Sequence, residues 1–177
     1  MEKMKKISIL TACVFISMAC LIMAFTAGCS AGGSASDGGA AEDEEAPDFT
    51  AELMGGGKFT LSEHNDDVLL INFWATWCGY CVEEMPELDK LNKDNIEGLE
   101  IILVDCGEPA KVVNDFIKDS GYTFSVAYDE DGSIESKYPS SGIPYTVIVK
   151  DGKIMKTFVG MPQDPYNTYK KAVEELL

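Results

Sequence analysis

Two cysteines separated by two residues are the part of the sequence most able to do chemistry. Cys78 and Cys81 lie in the segment FWATWCGYCVEEMP, residues 73–86. Thiols at this spacing can form a disulfide across one helical turn, supply half of a metal site, or pack as small apolar side chains. A buried-strand pattern ends just before them and a helical pattern begins with them, which puts Cys78 at or near a helix N-terminus. Free backbone N–H groups and the helix dipole favour a thiolate there, with Cys78 as the exposed attacking thiol and Cys81 as the inner, resolving one.

A metal site is the first alternative to a redox pair. Zinc needs four ligands, and beyond the pair only Cys106 and His64 are available, at irregular spacing. Cys106 ends a buried-strand pattern and is expected to be a small core residue, with a third redox thiol as the alternative. His64 lies in the polar stretch SEHNDD and is expected at the surface. The residues therefore favour redox chemistry over metal binding, and two purely structural cysteines remain the second alternative.

The hydrophobic patterns around the pair predict a mixed α/β fold. Residues 68–74 and 99–106 read as buried parallel strands, and KDGK is typical of a hairpin turn. The order predicts a mixed central sheet, helices on both faces and an extra N-terminal β-hairpin. The remaining predicted elements are a hairpin over 49–54 and 58–61, helices over 78–95 and from Pro109, a strand over 122–127, a short helix over 133–138, strands over 145–149 and 154–159, and a last helix from Asp164 to Leu177.

The N-terminal residues 1–28 are expected to be a targeting segment. A lysine-rich head, an apolar run and small residues are typical of a secretory signal, and an uncleaved membrane anchor is the alternative. The sequence TAGC, ending at Cys29, resembles the lipobox of bacterial lipoproteins, although Thr26 stands where a large aliphatic residue is usual. Cys20 fits less well. If Cys29 carries the lipid, Cys13 and Cys20 leave with the signal.

Composition separates the rest of the chain into two parts and limits the kinds of partner it can bind. Residues 29–46 hold Gly, Ser, Ala and acidic residues without a large apolar side chain, as expected for a flexible tether, and residues 47–177 form one domain. The net charge is −16, and all 14 basic residues are lysine. A chain without arginine or a basic face is not expected to bind nucleic acid. The acidic excess suits a tethered domain that stays away from anionic lipid.

Several motifs together resemble the thioredoxin superfamily. INFWATWCGYC, VEEMP and GIPYTVIV are most similar to its membrane-tethered, extracytoplasmic branch, the TlpA and ResA type. APDF at the start of the domain and GEP after the second buried strand are also similar to that branch. The resemblance covers residues 47–177 and implies a thioredoxin-like fold that works through thiols alone, without a cofactor or a metal.

The resemblance also implies roles for residues around the pair. It implies a redox disulfide between Cys78 and Cys81, and a cis Pro144 packed beside it. The backbone of Ile143 would pair with a substrate chain. Three further residues would line the substrate site. Trp77 would form its wall. Gly79 and Tyr80, which lie between the cysteines, would shape the N–H groups that face Cys78.

A proton-handling carboxylate is implied by the same resemblance. Thioredoxin has a buried Asp where this chain has Asn72, and an amide cannot take a proton from Cys81. In ResA-like proteins a Glu follows the second cysteine by three residues, and Glu84 matches that place. The alternative is that Glu84 joins Glu83 and Glu87 on a solvated helix face.

These features predict a membrane-anchored, extracytoplasmic thiol-disulfide oxidoreductase. No lysine follows Cys81, and the acidic residues behind it argue against the stabilised thiolate of a strong oxidant, so a reductant of exported client proteins is expected. The family implies a CcdA- or DsbD-like membrane electron donor, and clients such as apocytochromes c or methionine sulfoxide reductases. The alternatives are a disulfide-forming oxidant and a non-catalytic metal- or partner-binding module. A peroxidase is not expected because it needs a cation, usually arginine, beside its cysteine.

Overall fold

The computed structural model describes residues 42–177 as a five-stranded sheet with a separate two-stranded hairpin. The strands are β1 (Thr50–Glu52), β2 (Lys58–Thr60), β3 (Val68–Trp74), β4 (Leu99–Cys106), β5 (Ser125–Asp129), β6 (Tyr145–Lys150) and β7 (Lys153–Val159). The α-helices are α1 (Gly79–Lys93), α2 (Ala110–Ser120) and α3 (Pro165–Glu174), and short 3₁₀ helices span Leu61–Glu63 and Glu135–Lys137.

The order of the strands places β3 at the centre of the sheet. That order is β5-β4-β3-β6-β7, with β3, β4 and β5 parallel and with β6 and β7 antiparallel to their neighbours. Every residue of β3 is buried, as its continuous apolar run predicts for a strand covered on both faces. The predicted mixed α/β fold is therefore confirmed, and the active segment leaves the sheet at its centre.

The three α-helices share one face of this sheet. Buried apolar side chains from all three helices belong to one cluster, together with alternate residues of β3 such as Leu70 and Trp74. The other face packs on the β1–β2 hairpin and the residues around the two 3₁₀ helices. Because β3, β4 and β5 succeed one another in one direction, two right-handed crossovers place α1 and α2 on the same side. Within residues 42–177 the layers are thus less symmetric than the sequence predicts, since the helices on the second face are 3₁₀ helices.

The turn residues predict the β6–β7 hairpin correctly, whereas the apolar pattern misplaces the bounds of β5. Asp151 and Gly152 both have positive φ, 52° and 74°, in the predicted turn between β6 and β7. The strand predicted over 122–127 instead spans 125–129. The shift has a local cause, since the backbone N–H of Thr123 donates to Asp89 of α1 at 2.8 Å rather than to a strand.

The ordered backbone begins ahead of residue 47. Asp43 N–H donates to the Ile154 carbonyl at 2.7 Å, and Ala46 N–H donates to that of Gly152 at 2.8 Å. Backbone pairing needs no apolar side chains, so the composition of this segment did not indicate it. The predicted signal over 1–28, the lipidation site Cys29 and most of the tether lie outside the described residues. Within residues 42–177, no helix has the length and apolar character needed to span a bilayer.

Candidate active site

The cysteine pair lies where the central strand gives way to α1. Cys78 is the N-cap of α1, and its Sγ accepts the backbone N–H of Cys81 at 3.3 Å. The two residues form a disulfide, with Cα atoms 5.2 Å apart. Only 6% of Cys78 is exposed, against 1% of Cys81, so Cys78 is the outer sulfur although it is far less exposed than the sequence predicts. A reaction partner must therefore approach through the small opening at Cys78.

A cis proline lies beside the outer sulfur. The Ile143–Pro144 peptide bond is cis and directly precedes β6. The carbonyl oxygen of Ile143 is 3.6 Å from Cys78 Sγ. Gly160, just after β7, donates its N–H to the Pro144 carbonyl at 2.8 Å, which ties the proline loop to the end of β7. The loop thus brings a main-chain segment next to the disulfide.

Two aromatic side chains stand out from the surface around the pair. Trp77 is 70% exposed and Tyr80 is 67% exposed, which is unusual for such large apolar groups. Trp74, by contrast, is fully buried and contacts Phe116 of α2 with ring centroids 5.6 Å apart. Gly79 lies between Cys78 and Tyr80 in the chain and has open space where a Cβ would stand. Two exposed aromatic side chains therefore lie within two residues of Cys78 in the chain.

Glu84 is fully buried one turn beyond Cys81 on α1. Its Oε1 accepts the side-chain amide of Asn72 at 2.7 Å, and its Oε2 accepts the hydroxyl of Tyr169 at 3.0 Å. Glu83, the adjacent acid, is exposed. The alternative of a solvated helix face is therefore wrong for Glu84. The sequence pattern could not show this, because three neighbouring acids look alike until the helix is placed on the sheet.

Burial raises the pKa of Glu84 from 4.5 to about 7, and the hydrogen bonds from Asn72 and Tyr169 oppose part of that rise. A carboxyl group with this pKa exchanges its proton near neutral pH. General acid–base catalysis works best with such a pKa. Glu84 lies one helical turn from Cys81 on α1, and its role as proton acceptor for the inner thiol stays a prediction.

Sequence reasoning gave no role to two other members of this buried network. Thr146 of β6 lies opposite Asn72 of β3 and accepts its amide at 2.9 Å. Thr146 also donates to the hydroxyl of Tyr169 at 3.2 Å. Polar residues inside two apolar strands were a signal for Asn72 and Thr146. No comparable signal exists for Tyr169, because it is 85 residues from Glu84 in the chain.

A second buried carboxylate holds the loop that leads to the cysteines. Glu108, in the GEP segment, accepts the backbone N–H of Thr76 at 2.6 Å and its hydroxyl at 2.7 Å. Asp105 accepts the N–H of Glu108 at 3.0 Å and is itself fully buried. Burial raises the pKa of Asp105, and the neighbouring charges of Glu108 and Asp129 raise it further. These acids fix the segment two residues ahead of Cys78.

The remaining candidates lie apart from the pair. Cys106 is buried at the end of β4, and burial together with nearby acids such as Glu135 raises the pKa of its thiol, which disfavours a reactive thiolate. His64 is partly exposed, and its Nδ1 lies 2.8 Å from a carboxylate oxygen of Glu100. Among residues 42–177, the grouping able to hold a metal ion is His64, Asp67 and Glu100, which includes no cysteine. The structure thus does not bring Cys106 and His64 to the pair as metal ligands.

Comparisons with known proteins agree with this geometry. The Redoxin family model matches residues 41–176. The thiol-disulfide oxidoreductase ResA of Bacillus subtilis is 33% identical over 121 residues, which is 67% of this chain and 68% of ResA. The thioredoxin-like protein YneN of the same organism is 33% identical over 126 residues, 69% of this chain and 74% of YneN.

Solved structures extend the comparison to the fold. The thioredoxin domain of a thiol-disulfide oxidoreductase from Bacteroides vulgatus superimposes with a TM-score of 0.67, at 24% identity, over 76% of this chain and 99% of that chain. StoA from Bacillus subtilis gives a TM-score of 0.62 at 22% identity, over 71% and 96% of the two chains. At these identities the likeness concerns the fold alone, and that fold is thioredoxin-like.

Proposed function

The chain belongs to the Redoxin family as a thiol-disulfide oxidoreductase of the ResA type, and from that premise we propose that it reduces disulfide bonds in exported proteins. The observation that carries the proposal is the disulfide-forming pair Cys78 and Cys81 at the start of α1, with the buried acid Glu84 one turn behind it. The acids and the absence of a lysine after Cys81 favour a reductant over an oxidant.

In the first step, the thiolate of reduced Cys78 attacks one sulfur of a client disulfide. A bond forms between Cys78 Sγ and that sulfur while the client disulfide breaks, and the departing client thiolate takes up a proton. The helix N-terminus stabilises the attacking thiolate. The exposed rings of Trp77 and Tyr80 contact the client, and the backbone of Ile143 pairs with its chain beside Pro144.

In the second step, Cys81 resolves the mixed disulfide. Its thiol gives a proton to the Glu84 carboxylate, and the resulting thiolate attacks Cys78 Sγ. The intramolecular disulfide forms, the bond to the client breaks, and the client leaves with a second thiolate. Two electrons have then passed from the protein to the client, and Cys78 and Cys81 are left joined in a disulfide.

The Cys78–Cys81 disulfide of the oxidised protein must be reduced again outside the cytoplasm. The proposal places residues 47–177 on the outer side of the cell membrane, held by a lipid on Cys29 and the tether over 29–46 after removal of the signal over 1–28. A membrane dithiol donor of the CcdA or DsbD kind would return the electrons by the same exchange chemistry. Partner proteins are thus exported disulfide-bearing clients on one side of the cycle and this donor on the other.

The reduction potential of the pair tests the direction of electron flow. We expect a value near that of thioredoxin, roughly −270 mV, when the protein is equilibrated with glutathione or dithiothreitol. A value approaching about −120 mV would instead identify a disulfide-forming oxidant. In cells, Cys81→Ser should accumulate mixed disulfides with exported proteins, and the double variant that also carries Cys78→Ser should not. Absence of trapped clients would contradict the proposal.

A further inference from the structure

Four buried side chains form a closed ring of hydrogen bonds behind the cysteine pair. They come from four different elements, and each is at most 1% exposed. Asn72 bonds both Glu84 and Thr146, Thr146 bonds Tyr169, and Tyr169 returns to Glu84. The ring therefore connects α1 to β3, β6 and α3 through a single ionisable carboxyl group.

The two direct partners of Glu84 differ in what they can do. The amide N–H of Asn72 can only donate, so its bond to Oε1 suits the carboxylate and the carbonyl oxygen of the acid alike. The Tyr169 hydroxyl can donate to a carboxylate or accept from a carboxylic acid. When it accepts from Glu84, its own hydrogen can turn to Thr146 Oγ1, which is 3.2 Å away. Tyr169 is thus the partner that can follow the proton.

We propose that Tyr169 is a positioning residue of the redox centre, whose reversible hydroxyl supports Glu84 in both protonation states. It donates to Glu84 while the acid waits as a carboxylate, and it accepts from Glu84 after the acid has taken the proton of Cys81. This inference rests on the proposed proton-handling role of Glu84. Without a reversible partner, a buried carboxyl group would leave a hydrogen bond unmade in one of its two states, at a cost to that state.

The groups that face Glu84 make the sign of the effect predictable. Its hydrogen-bond partners are Asn72 from β3 and Tyr169 from α3, and no charged side chain within residues 42–177 is hydrogen bonded to it. Cys81 precedes it by one turn on α1. The Tyr169 hydrogen bond lowers the pKa of Glu84 against the effect of burial. Tyr169→Phe should therefore raise this pKa. Glu84 would then be a carboxylate, able to accept a proton, only at higher pH.

The test is the pH dependence of disulfide reduction by the full-length protein. Insulin serves as the substrate and dithiothreitol as the electron source, between pH 5 and 9. We expect Tyr169→Phe to move the acidic limb of the rate profile to higher pH by about one unit, because a hydrogen bond to a charged group is lost. Tyr166→Phe is the matched control, because Tyr166 lies on the same helix as Tyr169 but its hydroxyl donates to Asp94 at the surface. An unchanged limb in Tyr169→Phe overturns the inference.

Two further variants separate this inference from the proposed function. Glu84→Gln should remove the contribution of Glu84 to the acidic limb, while the contribution of the attacking thiol remains. If Glu84→Gln changes the limb while Tyr169→Phe does nothing, Glu84 keeps its proposed role and Tyr169 has none. If Glu84→Gln leaves the limb unchanged, both fail. Thr146→Val removes the hydroxyl that pairs with Tyr169 in both states, as its donor beside the carboxylate and as its acceptor beside the acid. The limb of this variant should therefore move less than that of Tyr169→Phe, while Thr146→Ser matches the wild type. A shift in Thr146→Val as large as that in Tyr169→Phe would overturn the inference.

Discussion

At the scale of single residues, the burial of Glu84 links the stability of the protein to pH. The pKa of Glu84 is about 7 in the folded chain against an ordinary value of 4.5. The folded state therefore binds this proton more tightly than the unfolded state does. The contribution of Glu84 to stability is fully present below pH 4.5 and is lost as pH rises towards 7, where a buried carboxylate must be kept charged.

Glu84→Gln should remove this pH dependence, because the amide fills the same space without a charge. We expect the free energy of unfolding of the wild type, relative to Glu84→Gln, to fall by about 3 kcal/mol between pH 4.5 and 8. Urea unfolding of both oxidised proteins across this range measures the difference. The exposed neighbour Glu83 provides the control, since Glu83→Gln should follow the wild type at every pH. Parallel curves for wild type and Glu84→Gln would contradict the prediction.

The exposed aromatic residues should serve client binding rather than folding. Trp77 is 70% exposed, so Trp77→Ala should change the free energy of unfolding by less than about 0.5 kcal/mol. The same variant should raise the KM for a protein disulfide several-fold and leave the reduction of a small disulfide such as oxidised glutathione unchanged. Val112→Ala, at another exposed apolar residue, should leave both reactions as they are. An equal loss with both substrates would indicate damage to the redox pair itself.

The sequence predicted the cysteine pair, but not the residues that hold the site together. Spacing places Cys78 and Cys81 at the start of α1, whereas the proposed role of Glu84 came from the resemblance to ResA-like proteins and not from the helical pattern. Tyr169 reaches Glu84 across 85 residues, and the contact depends on how α3 packs on α1. A tyrosine on an amphipathic helix has the same pattern whether its hydroxyl reaches an acid or solvent.

At the scale of elements, the loop between β3 and α1 depends on the segment that opens α2. Glu108 accepts two hydrogen bonds from Thr76, and Glu108 directly precedes Pro109, the N-cap of α2. The Glu108 carboxylate thus links the loop that leads to Cys78 to the segment that opens α2. A bond to a charged acceptor is stronger than one between neutral groups.

Thr76→Val tests this link because it removes the hydroxyl and preserves the shape of the side chain. We expect a loss of about 1.5–3 kcal/mol in the free energy of unfolding, since the buried Glu108 carboxylate loses one hydrogen-bond donor. Thr60→Val is the comparison, because that hydroxyl bonds Thr50 on the exposed hairpin, where little change is expected. Chemical denaturation in urea measures both. Equal losses in the two variants would mean that Glu108 does not anchor the loop.

The elements themselves followed from the sequence because each pattern is local. The apolar run of β3 and the turn at Asp151 and Gly152 needed no tertiary information. The distribution of helices over the two faces did, because it depends on the order of strands in the sheet. The true start of β5 depended on a bond between Thr123 and Asp89, two residues that are far apart in the chain.

At the scale of the whole molecule, charge and length suit a domain held at a distance from a membrane. The chain carries a net charge of −16 and no arginine, so anionic lipid repels its surface. The proposed attachment would then come from the N-terminal segment rather than from the folded surface. The proposed tether over residues 29–46 would separate the active site from the bilayer.

Cys29→Ser should therefore release the protein from membranes, since it removes the acceptor of the proposed lipid. We expect the wild type in the membrane fraction of cells and the variant in the soluble extracytoplasmic fraction, with both showing the same reduction potential. Cys20→Ser, in the part of the chain that the signal would carry away, should stay with the membrane. If the N-terminal apolar run instead remains as an anchor, Cys29→Ser will also stay there with an uncleaved N-terminus. Mass spectrometry of the mature N-terminus then decides between lipid and anchor.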